Sequence, residues 1–198
     1  MPWKGISSLK PLSMTLAAAL HERDEYTFHH GNRVMRMALA VGRRLGLVLP
    51  ELNRLHVAAL LHDVGKIGIP DEVLLKPGAF DEPQRTIMRS HADRGEKLLR
   101  TFAGEDAEQV AIAIRHHHED FDGTGYPDNL DRENIPVLSR IISIADNYDA
   151  MASKRVYHRA CNHDHIVGVM LDKSGQKHDP YLLRKFLEMI EHSPLRVS

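Results

Sequence analysis

Histidine is the unusual residue in this sequence: there are 14 of them among 198 residues, against one Cys and one Trp. Buried beside carboxylates, neutral imidazoles are donors for divalent transition metals. Their placement therefore decides whether they do chemistry. His62 stands next to Asp63 at the end of an apolar stretch that carries Leu52, Leu55 and Ala59. Adjacent side chains project about 100° apart on a helix. The pair can grip one ion jointly only near a helix end, and more easily serves two neighbouring ions with the carboxylate between them. Lys66 follows one turn on as a positive charge, among glycines that let backbone approach a ligand closely. The other histidines sort by face. His30 continues the Val34, Ala38 and Val41 stripe and points inward, whereas His29 shares the outer face of Arg33 and Arg36. His91 lies on the stripe of Ile87, Leu98 and Phe102. The stripe of Val110, Ala113 and Ile114 extrapolates to His117 and His118 and leaves His116 outside. Asp146 shares a face with Ile142 and Asp149.

Burying this many imidazoles and carboxylates without partners costs roughly several kcal/mol each. Ion pairs could satisfy some of these groups, but the inward set is rich in histidine and short of Arg or Lys. His30, His62, Asp63, His91, His117, His118 and Asp146 have the composition of a transition-metal site. Seven groups exceed what one ion takes from a protein, which favours two ions with Asp63 between them. Iron, manganese, nickel and zinc all suit such a set.

The elements that must position these groups read as helix after helix. From about Ser13 onward, apolar stripes at helical spacing are separated by short Gly, Pro and Asp punctuation. Gly46 closes the helix of Val34 to Leu45, and Pro50 opens another that ends at Gly65. Asp81 and Gln84 form a capping box for a helix through about Phe102. A further helix begins near Asp106, another covers Val137 to Ala152, and Asp179-Pro180 caps a last one. The loop from Phe121 to Pro136 is rich in Gly, Asp and Pro. The expectation is an all-α chain: a lead-in over 1–12, one helical bundle domain over 13–192 and a tail over 193–198. Met35, Met37, Met88, Met151, Met170 and Met189 read as core filler, and Arg23-Asp24 as an ion pair at a helix junction. A net charge of -1 and a pI near 6.9 supply no global field for nucleic acid, so phosphate binding has to come from placed charges or metals. The single Cys161 excludes an internal disulfide and suits a reducing cytoplasm. No apolar run reaches the roughly 18 residues of a membrane span, and the start lacks a signal-peptide pattern.

These residues resemble the HD-GYP family, a branch of the HD phosphohydrolase superfamily. The segments run in the family's order: His30 with Arg33-Val34, then Leu61-His62-Asp63-Val64-Gly65-Lys66-Ile67-Gly68-Ile69-Pro70, then Lys76-Pro77-Gly78 and His91 with Gly95. His117-His118-Glu119, Asp122-Gly123-Thr124-Gly125-Tyr126-Pro127 and Ile144-Ala145-Asp146-Asn147-Tyr148-Asp149-Ala150-Met151 close the series. The resemblance implies a helical bundle with a Gly-rich loop, the same seven metal ligands, and a phosphodiesterase that hydrolyses cyclic di-GMP to linear pGpG, sometimes on to GMP. It assigns catalysis to Asp63 and Lys66, and substrate contacts to Lys66, Gly123, Gly125, Tyr126, Asp149, Arg155 and His158. It also implies a diguanylate cyclase or another signalling protein as a partner through the loop. Tyr26 stands where some members carry a glutamate that holds a third metal, so a binuclear site is expected. His158 replaces a frequent lysine, which makes one phosphate contact weaker and dependent on pH. Two other readings are an HD phosphohydrolase for a different nucleotide, such as a cyclic GMP-AMP dinucleotide, and a non-catalytic module that binds cyclic di-GMP.

Overall fold

The computed structural model describes residues 9–153 and 161–197. Its first helix, α1 (Leu9–Arg23), starts ahead of the expected Ser13. The helix α2 (Glu25–Arg44) runs through the middle of the bundle and packs on α1, α3 (Leu49–Leu61), α8 (Val137–Ala152) and α10 (Pro180–Ile190). Asp24 caps α2 by accepting the Thr27 N–H at 3.1 Å. Arg23 turns the other way, donating to the Ile69 carbonyl at 3.0 Å and pairing with Asp71. The expected Arg23-Asp24 pair is therefore not formed: one residue caps a helix and the other ties α1 to the segment after Asp63. Val34, Met37, Ala38 and Val41 are all buried, as their spacing requires. With Leu55, Ile114, Ile142 and Phe186 they belong to one continuous core, and each large side chain so buried contributes about 1.5–3 kcal/mol.

Helix α3 ends at Leu61, before the expected Gly65, and gives way to a 3-10 turn over Val64–Gly68. That turn lies directly on α6 (His91–Arg100). A Cβ on Gly65 would overlap the His91 carbonyl oxygen and sit 2.7 Å from the Gly95 nitrogen, so only glycine permits the approach. A short α4 (Asp71–Leu74) follows. The stretch expected as one helix from Asp81 to Phe102 is two, α5 (Glu82–Arg89) and α6. The capping box forms, with Asp81 accepting from Gln84 N at 2.9 Å and Gln84 from Asp81 N at 3.2 Å. The break comes where side chains capture the last carbonyls. Ser90 Oγ donates to Ile87 O at 2.6 Å and His91 Nδ1 to Met88 O at 2.7 Å.

Helix α7 (Glu105–Arg115) packs on α6 and α3, and α8 is tied to it by Ser139 Oγ donating to Ala113 O at 3.0 Å. The sequence reading missed α9 (His163–Asp172). Asp179 caps α10 by accepting from Tyr181 N at 2.8 Å and Leu182 N at 3.1 Å, and also holds Arg140 of α8 at 2.6 Å. Beyond α10, Leu195 and Val197 are partly buried against the core. Among the described residues there are only isolated β-bridges, Asp122 with Asp131 and Ser174 with His178.

Candidate metal centre and cleft

Three of the inward histidines repeat one device. His62 Nδ1 donates to Ala59 O at 2.8 Å, His91 Nδ1 to Met88 O at 2.7 Å and His117 Nδ1 to Ile114 O at 2.6 Å. Each bond runs back three residues to a carbonyl in the last turn of the preceding helix. Each fixes the ring and commits Nδ1 as the protonated nitrogen, which leaves Nε2 as a bare lone pair facing the site. His91 Nε2 then lies 3.5 Å from His117 Nε2 and 3.2 Å from His118 Nε2. The lone pairs of His91 and His117 repel each other at that distance unless a cation stands between them, whereas His118, with no carbonyl on its Nδ1 among the described residues, can donate from Nε2 to His91. His62 Nε2 is buried with no hydrogen-bond partner. These nitrogens are what a divalent ion would take, so the residues fit the metals that the composition implies.

The donors fall into two groups, His91, His117 and His118 in one and His30, His62 and Asp63 in the other, each with ligand atoms within 4.8 Å of one another. Asp63 joins them. Its Oδ1 lies 3.3 Å from His91 Nε2 and its Oδ2 lies 3.5 Å from His62 Nε2, while Lys66 Nζ donates to Oδ2 at 2.6 Å. Burial works to raise the Asp63 carboxyl, but Lys66 and the surrounding imidazoles more than offset it and hold it well below the usual carboxylate range. Asp146 accepts from His30 Nε2 at 2.9 Å and lies 3.9 Å from His62 Nε2. Burial opposes ionisation there too, and the bond from His30 together with the electrostatic pull of His30, His62 and His118 outweighs it. Burial lowers His91 and His118, and takes His117 down to about 3, so all three are neutral donors. His30 differs: burial would lower it, yet its bonds to Asp146 and Asp149 raise it to about 10.

Asp149 lies behind His30, bonded to Nδ1 at 2.7 Å, and is gripped by Arg33 through Nε at 2.7 Å and Nη2 at 2.9 Å. It is 4% exposed, so in this structure it faces the imidazole and not the cleft. Arg33, counted from sequence only as an outward residue, completes the chain Arg33–Asp149–His30–Asp146. All seven expected ligands converge, while Arg155 and His158 lie outside the described residues.

In front of the histidines opens a cleft of about 770 Å³, walled by Tyr26, Leu75, Phe80, Met88 and Tyr126 with Lys66 near its floor. Met88, expected as core filler, thus faces the cleft. Of the loop residues, Tyr126 reaches the cleft wall, whereas Gly123 and Gly125 do not. The loop itself is locked to the end of α7. Asp128 accepts from Arg115 at 2.7 and 2.8 Å and from His116 at 2.8 Å, and Glu119 accepts the N–H groups of Asp128 at 2.7 Å and Leu130 at 3.2 Å. The bond from Arg115, with that from His116, holds Asp128 down to about 2. His116, Glu119 and Asp128 meet closely enough to suggest a third ion, but the Arg115 cation already neutralises Asp128. Sequence reasoning missed this lock because each member alone looks like an ordinary surface residue.

The HD domain family profile matches residues 14–182. The chain is 34% identical over 185 residues to the cyclic di-GMP phosphodiesterase PA4108 of Pseudomonas aeruginosa, covering 93% of this chain and 44% of that protein. It is 39% identical over 165 residues to the cyclic di-GMP phosphodiesterase response regulator RpfG of Xanthomonas campestris pv. campestris, covering 83% and 44%. Among solved structures, a cyclic GMP-AMP specific phosphodiesterase of V. cholerae, V-cGAP3, superposes with a TM-score of 0.66 at 21% identity, over 93% of this chain and 49% of that one. The fold and the histidine-aspartate cluster are those of an HD-domain protein. The chain belongs to the HD domain family, within its HD-GYP group, and spans less than half the length of the curated relatives it matches.

Proposed function

We propose that the chain is a metal-dependent phosphodiesterase module that hydrolyses a cyclic dinucleotide, cyclic di-GMP, to linear pGpG. The observation that carries this reading is the convergence of five imidazole rings on Asp63, whose two oxygens face the two donor groups. His91, His117 and His118 would hold one divalent ion and His30, His62 and Asp146 the other, with Asp63 shared; iron or manganese suits such donors. When bound, the ions supply Lewis acidity and neutralise charge on the phosphoryl oxygens.

The protein's own part is orientation and charge. Carbonyl-anchored rings hold their Nε2 atoms in place before any ion arrives. Lys66 sits on Asp63 in this structure, and its flexible ammonium can swing a short way into the cleft to meet a phosphate oxygen. The apolar walls, Leu75, Phe80 and Met88, give purine bases a dry surface beside that charge. The exposed outer side of the loop, Asp122, Thr124 and Asn129, is the proposed surface for a diguanylate cyclase. Residues 13–192 are the proposed catalytic unit and the cytoplasm its proposed compartment. No helix among the described residues is long and apolar enough to cross a membrane.

The test strips the protein with chelator, reloads it anaerobically with Fe(II) or Mn(II), and follows cyclic di-GMP beside the cyclic GMP-AMP dinucleotide. Asp63→Ala is expected to lose metal and at least about 1,000-fold in turnover, since it removes the shared ligand. A metal-free Asp63→Ala protein with full activity overturns the reading. Tight binding of cyclic di-GMP without cleavage by fully loaded wild type would favour a binding module instead.

A further inference from the structure

His118 is the exception among the convergent histidines. The rings of His62, His91 and His117 are held by backbone carbonyls and that of His30 by Asp149. His118 makes its hydrogen bond through Nε2, to His91, and its Nδ1 has no such anchor among the described residues. Its ring is held by faces instead. It lies 3.9 Å from the His117 ring and 4.8 Å from that of Tyr126, at an angle of 26° to the latter. Tyr126 is fixed in turn. Its N–H donates to the His118 carbonyl at 3.2 Å, and the Arg89 guanidinium stands over its ring, 5.0 Å from the centroid.

The loop reaches this position because Gly125 has no side chain. A Cβ there would overlap the Asp120 nitrogen and lie 2.5 Å from Glu119 Cα and 2.6 Å from His118 O. The Tyr126 backbone can therefore cross directly over the residues that follow His117 and lay its ring on the imidazole. Other contacts pin the loop on both sides, at Asp128 by Arg115 and at Phe121 by the Lys177 carbonyl, 3.2 Å away.

We propose that Tyr126 is a positioning residue for His118, replacing with an aromatic face the carbonyl anchor that its neighbours have, and that Arg89 braces Tyr126 in that role. The proposal rests on His118 being a metal ligand, but the orientation it describes exists without an ion. The hydroxyl has no part in it. Tyr126→Phe should therefore behave as wild type in metal uptake, whereas Tyr126→Leu should lose affinity for one of two ions by about 10–100-fold, the usual effect of removing an outer partner of a ligand. Arg89→Met should show the same loss in weaker form.

The experiment titrates chelator-stripped protein anaerobically with Mn(II), counting ions by equilibrium dialysis and elemental analysis, and solves crystal structures of metal-free wild type and Tyr126→Leu. The expected result is a weakened second ion together with a His118 ring displaced in the variant while His62, His91 and His117 keep their rotamers. Wild-type uptake of both ions by Tyr126→Leu, with His118 in place and only KM for cyclic di-GMP raised, overturns the proposal and makes Tyr126 a substrate contact. If wild type itself takes up no Mn(II), the functional reading fails. The crystal comparison still decides whether Tyr126 holds the ring.

Discussion

Burial pushes the enclosed imidazoles of this protein down, and what stands behind each ring decides whether that push prevails. His30 has two carboxylates and is raised to about 10, while His117 has a carbonyl and other imidazoles and falls to about 3. His178 shows the same physics away from the cluster. It is 2% exposed, its Nδ1 has no partner, and burial takes it from 6.5 down to about 4. The sign follows from linkage: the folded chain refuses a proton that the unfolded chain accepts below about 6.5, so stability falls as pH drops from 6.5 towards 4, and no further cost accrues below that. The difference between the two values amounts to about 3 kcal/mol. His178→Gln cannot titrate. In urea titrations between pH 7 and pH 4, the variant should therefore lose less stability than wild type, by up to about that amount. Parallel stability profiles for the two proteins would show that His178 is not neutral in the fold.

At the scale of elements, most of the ligands arrive at helix ends and two, His30 and Asp146, lie within helices, and this explains both what the sequence revealed and what it hid. The apolar period marks which face of α2, α7 and α8 is buried, so His30 and Asp146 were legible from spacing alone. His62 and His117 lie just beyond helices and His91 at the start of α6, where the period of the preceding helix no longer applies; reading through it worked because each ring folds back onto the last turn before it. The same back-bonding cut α3 short and split α5 from α6, and no stripe predicts that. Arg33, Arg89 and Arg115 were invisible as functional residues, since Arg33 meets its carboxylate 116 residues along the chain. The helix α9 was missed because its buried apolar positions are few, Ile166 and Met170. Gly65 was read as a helix end and as a place where backbone could come near a ligand, and what comes near is another helix. Gly65→Ala must push the 3-10 turn off α6, carrying Asp63 away from His91. We expect a cost at or above the upper end of the about 1–3 kcal/mol typical of overpacking, read from the denaturant midpoint, and weaker Mn(II) uptake. A change below about 0.5 kcal/mol with metal binding intact would show that the helix yields cheaply.

For the whole molecule, the centre gathers residues from α2, the ends of α3, α5 and α7, and α8. An ion held there would link elements that are otherwise joined mainly by apolar contact. The metal-free cluster works against this assembly, because the bare Nε2 lone pairs of His91 and His117 meet at 3.5 Å and the imidazole of His62 is buried without a hydrogen-bond partner at Nε2. An ion turns each of those contacts from unfavourable to favourable, and does so only in the folded chain, since the unfolded chain scatters the same ligands. Free ion at about 1,000 times its dissociation constant stabilises the fold by about 4 kcal/mol per site. For a chain of 198 residues, where each kcal/mol moves Tm by about 2–4 °C, one site should raise it by about 8–16 °C. Calorimetry with Mn(II) and with chelator measures this directly, with Asp63→Ala as the variant whose Tm should respond far less. A wild-type Tm indifferent to metal would mean that the converging histidines are satisfied without an ion, and the case for a two-ion centre would fail at its physical root.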